Sequence, residues 1–320
     1  MPMVKRIALI AFLATTTACQ TDLFFGKIEG VGGTVLAPNG RTPSYKAKVA
    51  IRDLEPDGFA GETLAAATGE FSFKSIPDAR YRIDVSSPNG LFETVYYAEV
   101  EDGHSPGGIE IIMAPVRAGT FFDVPGRYDD VGVVLADLGY LYRTVDVDAL
   151  AQSTNPLAGA DVAFLGSGVD AGWAEDERVV ANLRSFVAAG GRLVVSDRAW
   201  PFVKAAWPGK INWGADPAVG NGGQEIEAAL SEEDLKRCLT VARWRIKYDL
   251  GAWALPESTA GTVFVRGDVA TTAGPREGAP LLVGFDDGAG FVVFSTFEWR
   301  TQYADGRLPV RVLNYLIANE

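Results

Sequence analysis

The sequence predicts two folded units in one chain: an all-β sandwich over residues 28–115 and an α/β doubly wound sheet over residues 118–320. Three observations carry this. With 320 residues, 48% of them apolar, the chain has material for about two ordinary domains. Between residues 28 and 115 short alternating apolar runs are punctuated by turn residues, with no helical periodicity. From about residue 119 onward, buried apolar strand-like runs alternate with amphipathic helical stretches, the pattern of a parallel sheet covered on both faces.

The chain opens with Lys5 and Arg6, an apolar run over 7–14, and then Thr15, Thr16, Thr17 and Ala18 before Cys19. A basic start, a short apolar stretch and small residues describe a leader, since the run is far below the roughly 20 residues a membrane span needs. A cysteine directly after the small residues resembles the bacterial lipoprotein signal, although Thr16 stands where that signal usually has leucine. The resemblance implies a signal peptide over 1–18, acylation of Cys19 as the mature N-terminus, and a linker to residue 27. The expected location is then the bacterial cell envelope, with the lipid holding the chain to a membrane: the outer membrane, facing the periplasm or the cell surface. An ordinary secretory leader cut near Ala18 is the alternative.

In the first unit the expected strands are 33–36, 47–51, 70–73, 81–85, 94–98 and 109–113. Turns are expected at Asn39-Gly40, Thr68-Gly69 and Asn89-Gly90. Such spacing suits an antiparallel sandwich. The order of Gly32, Gly33, Thr34 and Val35, then Gly69-Glu70-Phe71-Ser72-Phe73, Ile76-Pro77 and Tyr81, resembles the carboxypeptidase regulatory-like domain, a transthyretin-like sandwich used as a non-catalytic spacer.

In the second unit the expected order is strand 120–123, helix 128–138, strand 142–147, strand 162–165, helix 177–189, strand 193–195, strands 280–284 and 290–295, and a last helix over 308–318. Val180, Leu183, Phe186 and Val187 are expected to face inward from the second helix. The order of Asp161 to Gly168, Phe186 to Val195, Gly290 to Glu298 and Leu313 to Ile317 resembles the class I glutamine amidotransferase-like fold, interrupted by an insertion at about 200–261. The resemblance implies a catalytic cysteine after the strand at 193–195, and a histidine followed two residues later by glutamate after the strand at 290–295. This chain has Ser196, Asp197 and Arg198 at the first place and Thr296, Phe297 and Glu298 at the second. No nucleophilic thiol and no imidazole base stand there, so amide transfer is not expected.

Open α/β sheets bind ligands beyond the carboxyl ends of their strands. Ser167, Asp170, Arg198, Trp200, Trp299, Arg300 and Gln302 are expected at that edge as ligand-binding residues. Asp197 and Glu298 are weak catalytic candidates. About 5–10 Å between their carboxyls across an open cleft would suit glycan hydrolysis; burial against Arg198 or Arg300 would suit a structural ion pair. All seven tryptophans lie in the second unit. Their flat faces suit sugar stacking, and packing of the insertion onto the sheet is the alternative, preferred for Trp244 and Trp253.

The remaining chemistry is mostly excluded. Lys and Arg total 29 against 41 Asp and Glu, for a net charge of -12, which argues against nucleic-acid partners. One histidine, His104, and two cysteines, Cys19 and Cys238, leave no zinc set, so no metal or cofactor is expected. Cys238 shares a helical face with Leu235 and Leu239 and is expected in the core. The function expected is an envelope-anchored lipoprotein whose amidotransferase-like part binds an envelope protein, glycan or other ligand. The alternatives are a glycan-directed hydrolase and a structural subunit of an envelope assembly.

Overall fold

A computed structural model describes residues 27–55, 58–116, 121–304, 306 and 308–319. The leader and Cys19 lie outside the described residues. The protein is strand-rich. In its first part, Val31–Leu36 lies between Glu70–Phe73, antiparallel, and Ile109–Ile112, parallel. Facing this sheet is a five-stranded one in the order Ala114–Pro115, Phe92–Val100, Ala79–Ser86, Lys48–Asp53, Ala60–Leu64. Alternation places Val49, Ile51, Tyr81, Ile83, Val85, Phe71 and Phe73 between the sheets, as period-2 patterning demands. The Tyr81 hydroxyl, buried with its ring, donates to the carbonyl of Pro77 at 2.7 Å. Gly69 takes φ +79°, and a Cβ there would stand 2.5 Å from the Val35 carbonyl, so the turn requires glycine.

The second part is built on one large sheet. Its parallel strands run Tyr142–Thr144, Phe121–Val124, Val162–Leu165, Arg192–Ser196, Gly290–Ser295. In chain order that is 2-1-3-4-5, the doubly wound arrangement. Gly274–Asp287 continues the sheet antiparallel, followed by Thr262–Thr271 and strands of the insertion. The central strands are apolar along their whole length because both faces are covered. On one face Leu165, Leu193, Val195 and Phe294 pack under Val179, Leu183, Phe186 and Val187 of the helix Glu177–Ala188. On the other, Phe164, Val194 and Val293 meet Leu135 and the helix Leu308–Ala318.

Three expectations are corrected. The helix expected over 128–138 is only Gly132–Asp137, because Asp130 caps the Gly132 N–H at 3.0 Å and Asp129 is turned inward. The strand expected over 142–147 ends at Thr144, and Val147–Ala151 forms a 3₁₀ turn. Val179, not Val180, is the fully buried residue of its turn.

The two parts share one apolar cluster rather than meeting across a linker. Phe92 stacks on Tyr140 at 4.9 Å and on Phe121 at 6.0 Å, and Asn89 Nδ2 donates to the Ile317 carbonyl at 2.5 Å. Arg41 pairs with Asp137 at 2.6 Å, and Lys46 pairs with Asp234 of the insertion. In the insertion helix Glu233–Leu239, Leu235, Cys238 and Leu239 face the core as their spacing predicts. Cys238 is buried and free. Burial pushes its thiol up to about 11, which leaves it unreactive.

Candidate functional site

Strand register fixes the site. Leu165 pairs with Val195, and Ser196 with Ser295, so the residues after these three strands converge at one edge of the sheet. Ser196 Oγ accepts the Ser167 N–H at 2.8 Å, and the chain then turns sharply at Asp197. This residue takes φ +36°, a conformation in which a side chain costs roughly 1–2 kcal/mol. Its Oδ1 accepts the N–H of Ala254 at 2.6 Å, which ties the insertion to the sheet. Ser167 Oγ lies 3.5 Å from Asp197 Oδ2 and 3.4 Å from Glu298 Oε1. The two carboxyls are themselves in hydrogen-bond contact.

Asp197 is 0% exposed and Glu298 2%. Burial, then the neighbouring Glu298 charge, holds Asp197 well above the usual carboxylate range, with Arg198 opposing weakly. Burial also raises Glu298, while the bond from Asp197 favours its ionised form. Two touching carboxyls in an apolar setting cannot both ionise. Asp197 and Glu298 therefore hold one proton between them.

Arg198 and Tyr128 meet beside the pair. Arg198 donates to the Ala252 carbonyl at 2.9 Å, and its guanidinium lies 4.9 Å from the ring centre of Tyr128. The backbone N–H of Tyr128 bonds the Ser167 carbonyl at 2.9 Å. The Tyr128 ring packs against Gly168 so closely that a Cβ there would meet it at 2.5 Å. Behind the pair, Tyr248 shares a hydrogen bond with Thr296 at 2.8 Å and stacks on Trp253 at 4.0 Å.

The other expected site residues divide clearly. Trp299 is buried against Phe297 and Trp244. Gln302 is buried and clamps both backbone groups of Lys247, at 3.0 and 2.8 Å. Ser167 is buried too. All three are buried rather than exposed at the edge. Asp170 is exposed and caps the short turn Ala171–Glu175. Arg300 is exposed, so it does not neutralise the carboxyl pair. Trp200 is half-buried, tilted against Trp213 at 5.4 Å. Trp207, Trp213, Trp244 and Trp253 are core. Five of the seven tryptophans thus hold the insertion down and offer no stacking face.

Two further carboxylates belong to this edge, and sequence patterning does not single them out. Asp129 accepts the N–H groups of Trp299 and Arg300 at 3.1 and 3.0 Å, and so caps the helix Trp299–Ala304. Its carboxyl is raised by burial against these bonds. Asp123 is 1% exposed, and its Oδ1 has no hydrogen-bond partner. Burial, then Asp130 and Asp129, push it up to about 7. The only signal for them is position: Asp123 ends a strand, and Asp129 and Asp130 follow its turn. Among the described residues no group of three or more His, Cys, Asp or Glu is arranged to hold a metal ion. His104 lies far along the chain on the β-sandwich, exposed, with Nδ1 2.6 Å from the Asp102 carbonyl.

No family model matches the chain, and no curated protein matches it. Solved structures give distant likenesses. A GMP synthase-type protein of Thermoplasma acidophilum shares 10% identity at TM-score 0.44, over 63% of this chain and 94% of that one. A ThuA-like protein of Bacteroides uniformis aligns at 11% and 0.42, over 64% and 94%. An exo-β-1,4-mannosidase of an Opitutaceae bacterium aligns at 14% and 0.40, covering 62% of this chain but 36% of the mannosidase. The chain thus spans about a third of that enzyme.

Proposed function

We propose that this chain is an envelope-anchored lipoprotein whose amidotransferase-like part, residues 118–320, binds a partner or ligand and carries out no acyl transfer. Residues 28–115 serve as a β-sandwich spacer behind the lipid at Cys19. One observation supports the non-catalytic reading above the others. At the position where the resembled fold has its nucleophile, the chain has Asp197, fully buried and in contact with Glu298. A buried carboxyl that shares its proton with a neighbour is a poor nucleophile, and a pair in contact leaves no room for a glycosidic oxygen and a water between them. The hydrolase reading therefore has less support than binding or assembly. The exposed elements near the edge, Asp170, Arg300 and the half-buried Trp200, are the ones left to meet a ligand.

The test has two arms. Labelled palmitate should enter the wild-type chain in a bacterial host and not Cys19→Ala, which should leave the membrane fraction; equal labelling would remove the anchor. Trp200→Ala should weaken retention on cell-wall polysaccharide if the ligand is a glycan, while unchanged retention would leave a protein partner.

A further inference from the structure

Strand Phe92–Val100 is paired with Ala79–Ser86 along nearly its whole length. On its other side Ala114–Pro115 covers only Phe92 and Glu93. Among the described residues nothing pairs with Thr94 to Val100 on that side. This free edge has no proline and no lysine, and Glu99 is its one charged residue; proline and charges, lysine above all, are what usually blunt an edge. It exposes three large side chains in succession: Val95 at 44%, Tyr96 at 36% and Tyr97 at 61%. Tyr96 has the parity of Ala98 and Val100, which are buried between the sheets. It stays uncovered because the sandwich lacks a strand beside it.

We propose that this edge pairs antiparallel with the same edge of a second copy of the chain, across a two-fold axis at Tyr97. The covering of Phe92 and Glu93 fixes the register, because a pairing centred nearer the start of the strand drives the partner into Ala114–Pro115. Centred on Tyr97, all seven free residues pair: Thr94 with Val100, Val95 with Glu99, Tyr96 with Ala98, and Tyr97 with itself. No two like charges face each other within these seven, and Glu99 keeps its own Arg80 at 3.5 Å. Tyr96 is covered by the partner's strand, and Tyr97 makes an aromatic cross-strand pair. Seven paired residues bury less than the roughly 800 Å² per partner of a standard stable interface, so the dimer forms and dissociates with concentration.

Opposed Cα atoms in such a pair lie about 4.5–5.5 Å apart, within disulfide reach. Val95 and its own copy would be four residues out of step, roughly 13 Å apart. In full-length chain carrying Cys19→Ser, Tyr97→Cys should therefore form a covalent dimer under mild oxidation, at least tenfold faster than Val95→Cys. Without an added cysteine, sedimentation should show mass doubling with concentration, and Tyr97→Lys should raise the midpoint at least tenfold with thermal unfolding unchanged. A mass that never rises, a dimer indifferent to Tyr97→Lys, or equal cross-linking at the two positions would overturn the proposal.

Discussion

Replacing Asp197 by asparagine changes one proton and little else. The Asn carbonyl can accept from Ala254 as Asp197 Oδ1 does at 2.6 Å. Its amide can donate to Glu298 in place of the proton the pair shares, and asparagine tolerates the φ of +36° better than most residues. Native wild-type protein holds a proton on the pair that the unfolded chain releases near pH 4. Because the native state then binds more protons, stability falls as pH rises, by about 1.4 kcal/mol per pH unit for one proton, until the pair ionises. The variant has no such proton, so its stability relative to wild type should climb as pH rises from 5, by at most about 1.4 kcal/mol per pH unit while the pair keeps its proton. Groups outside the pair titrate alike in both proteins and cancel. Urea unfolding followed by tryptophan fluorescence at half-unit steps from pH 5 to pH 8 measures the difference. Parallel stability curves for the two proteins would refute the shared proton.

Asp123→Asn tests the second buried carboxyl. With the native group raised to about 7, wild-type stability should fall between about pH 4 and pH 7, by at most roughly 4 kcal/mol; the variant should lose that component and gain in Tm at pH 8. Phe92→Ala removes the buried ring that stacks on both Tyr140 and Phe121. It should cost about 3–5 kcal/mol in a single urea transition, whereas an early partial transition would mean the two parts unfold separately.

What is legible in the sequence follows burial. Residues 162–165 are apolar on both faces, and 70–73 alternate, so each pattern has one reading as a strand. Helix Leu308–Ala318 lies within the bounds its apolar spacing predicts. Strand Ala60–Leu64 escapes notice because it is an edge with no residue fully buried, and Leu64 is its only large apolar side chain. The start of Gly274–Asp287 escapes for a similar reason, its first five residues being polar or small and half-exposed to exposed. At the site, the sequence shows which residue types follow the central strands but not their contacts. Asp197 and Glu298 are 101 residues apart, and whether they face a cleft or each other depends on the tertiary packing that brings the Ala254 segment onto Asp197. The tryptophans mislead for the same reason: an indole suited to a sugar is equally suited to a core, and only packing decides.

A proton-sharing pair seals the edge of the sheet where acyl chemistry would need a nucleophile. Ammonia release from glutamine, assayed with purified wild type beside Asp197→Asn, addresses that directly. Both proteins should match the buffer blank. Release by wild type that disappears in Asp197→Asn would show Asp197 at work in amide hydrolysis and contradict the sealed, non-catalytic site.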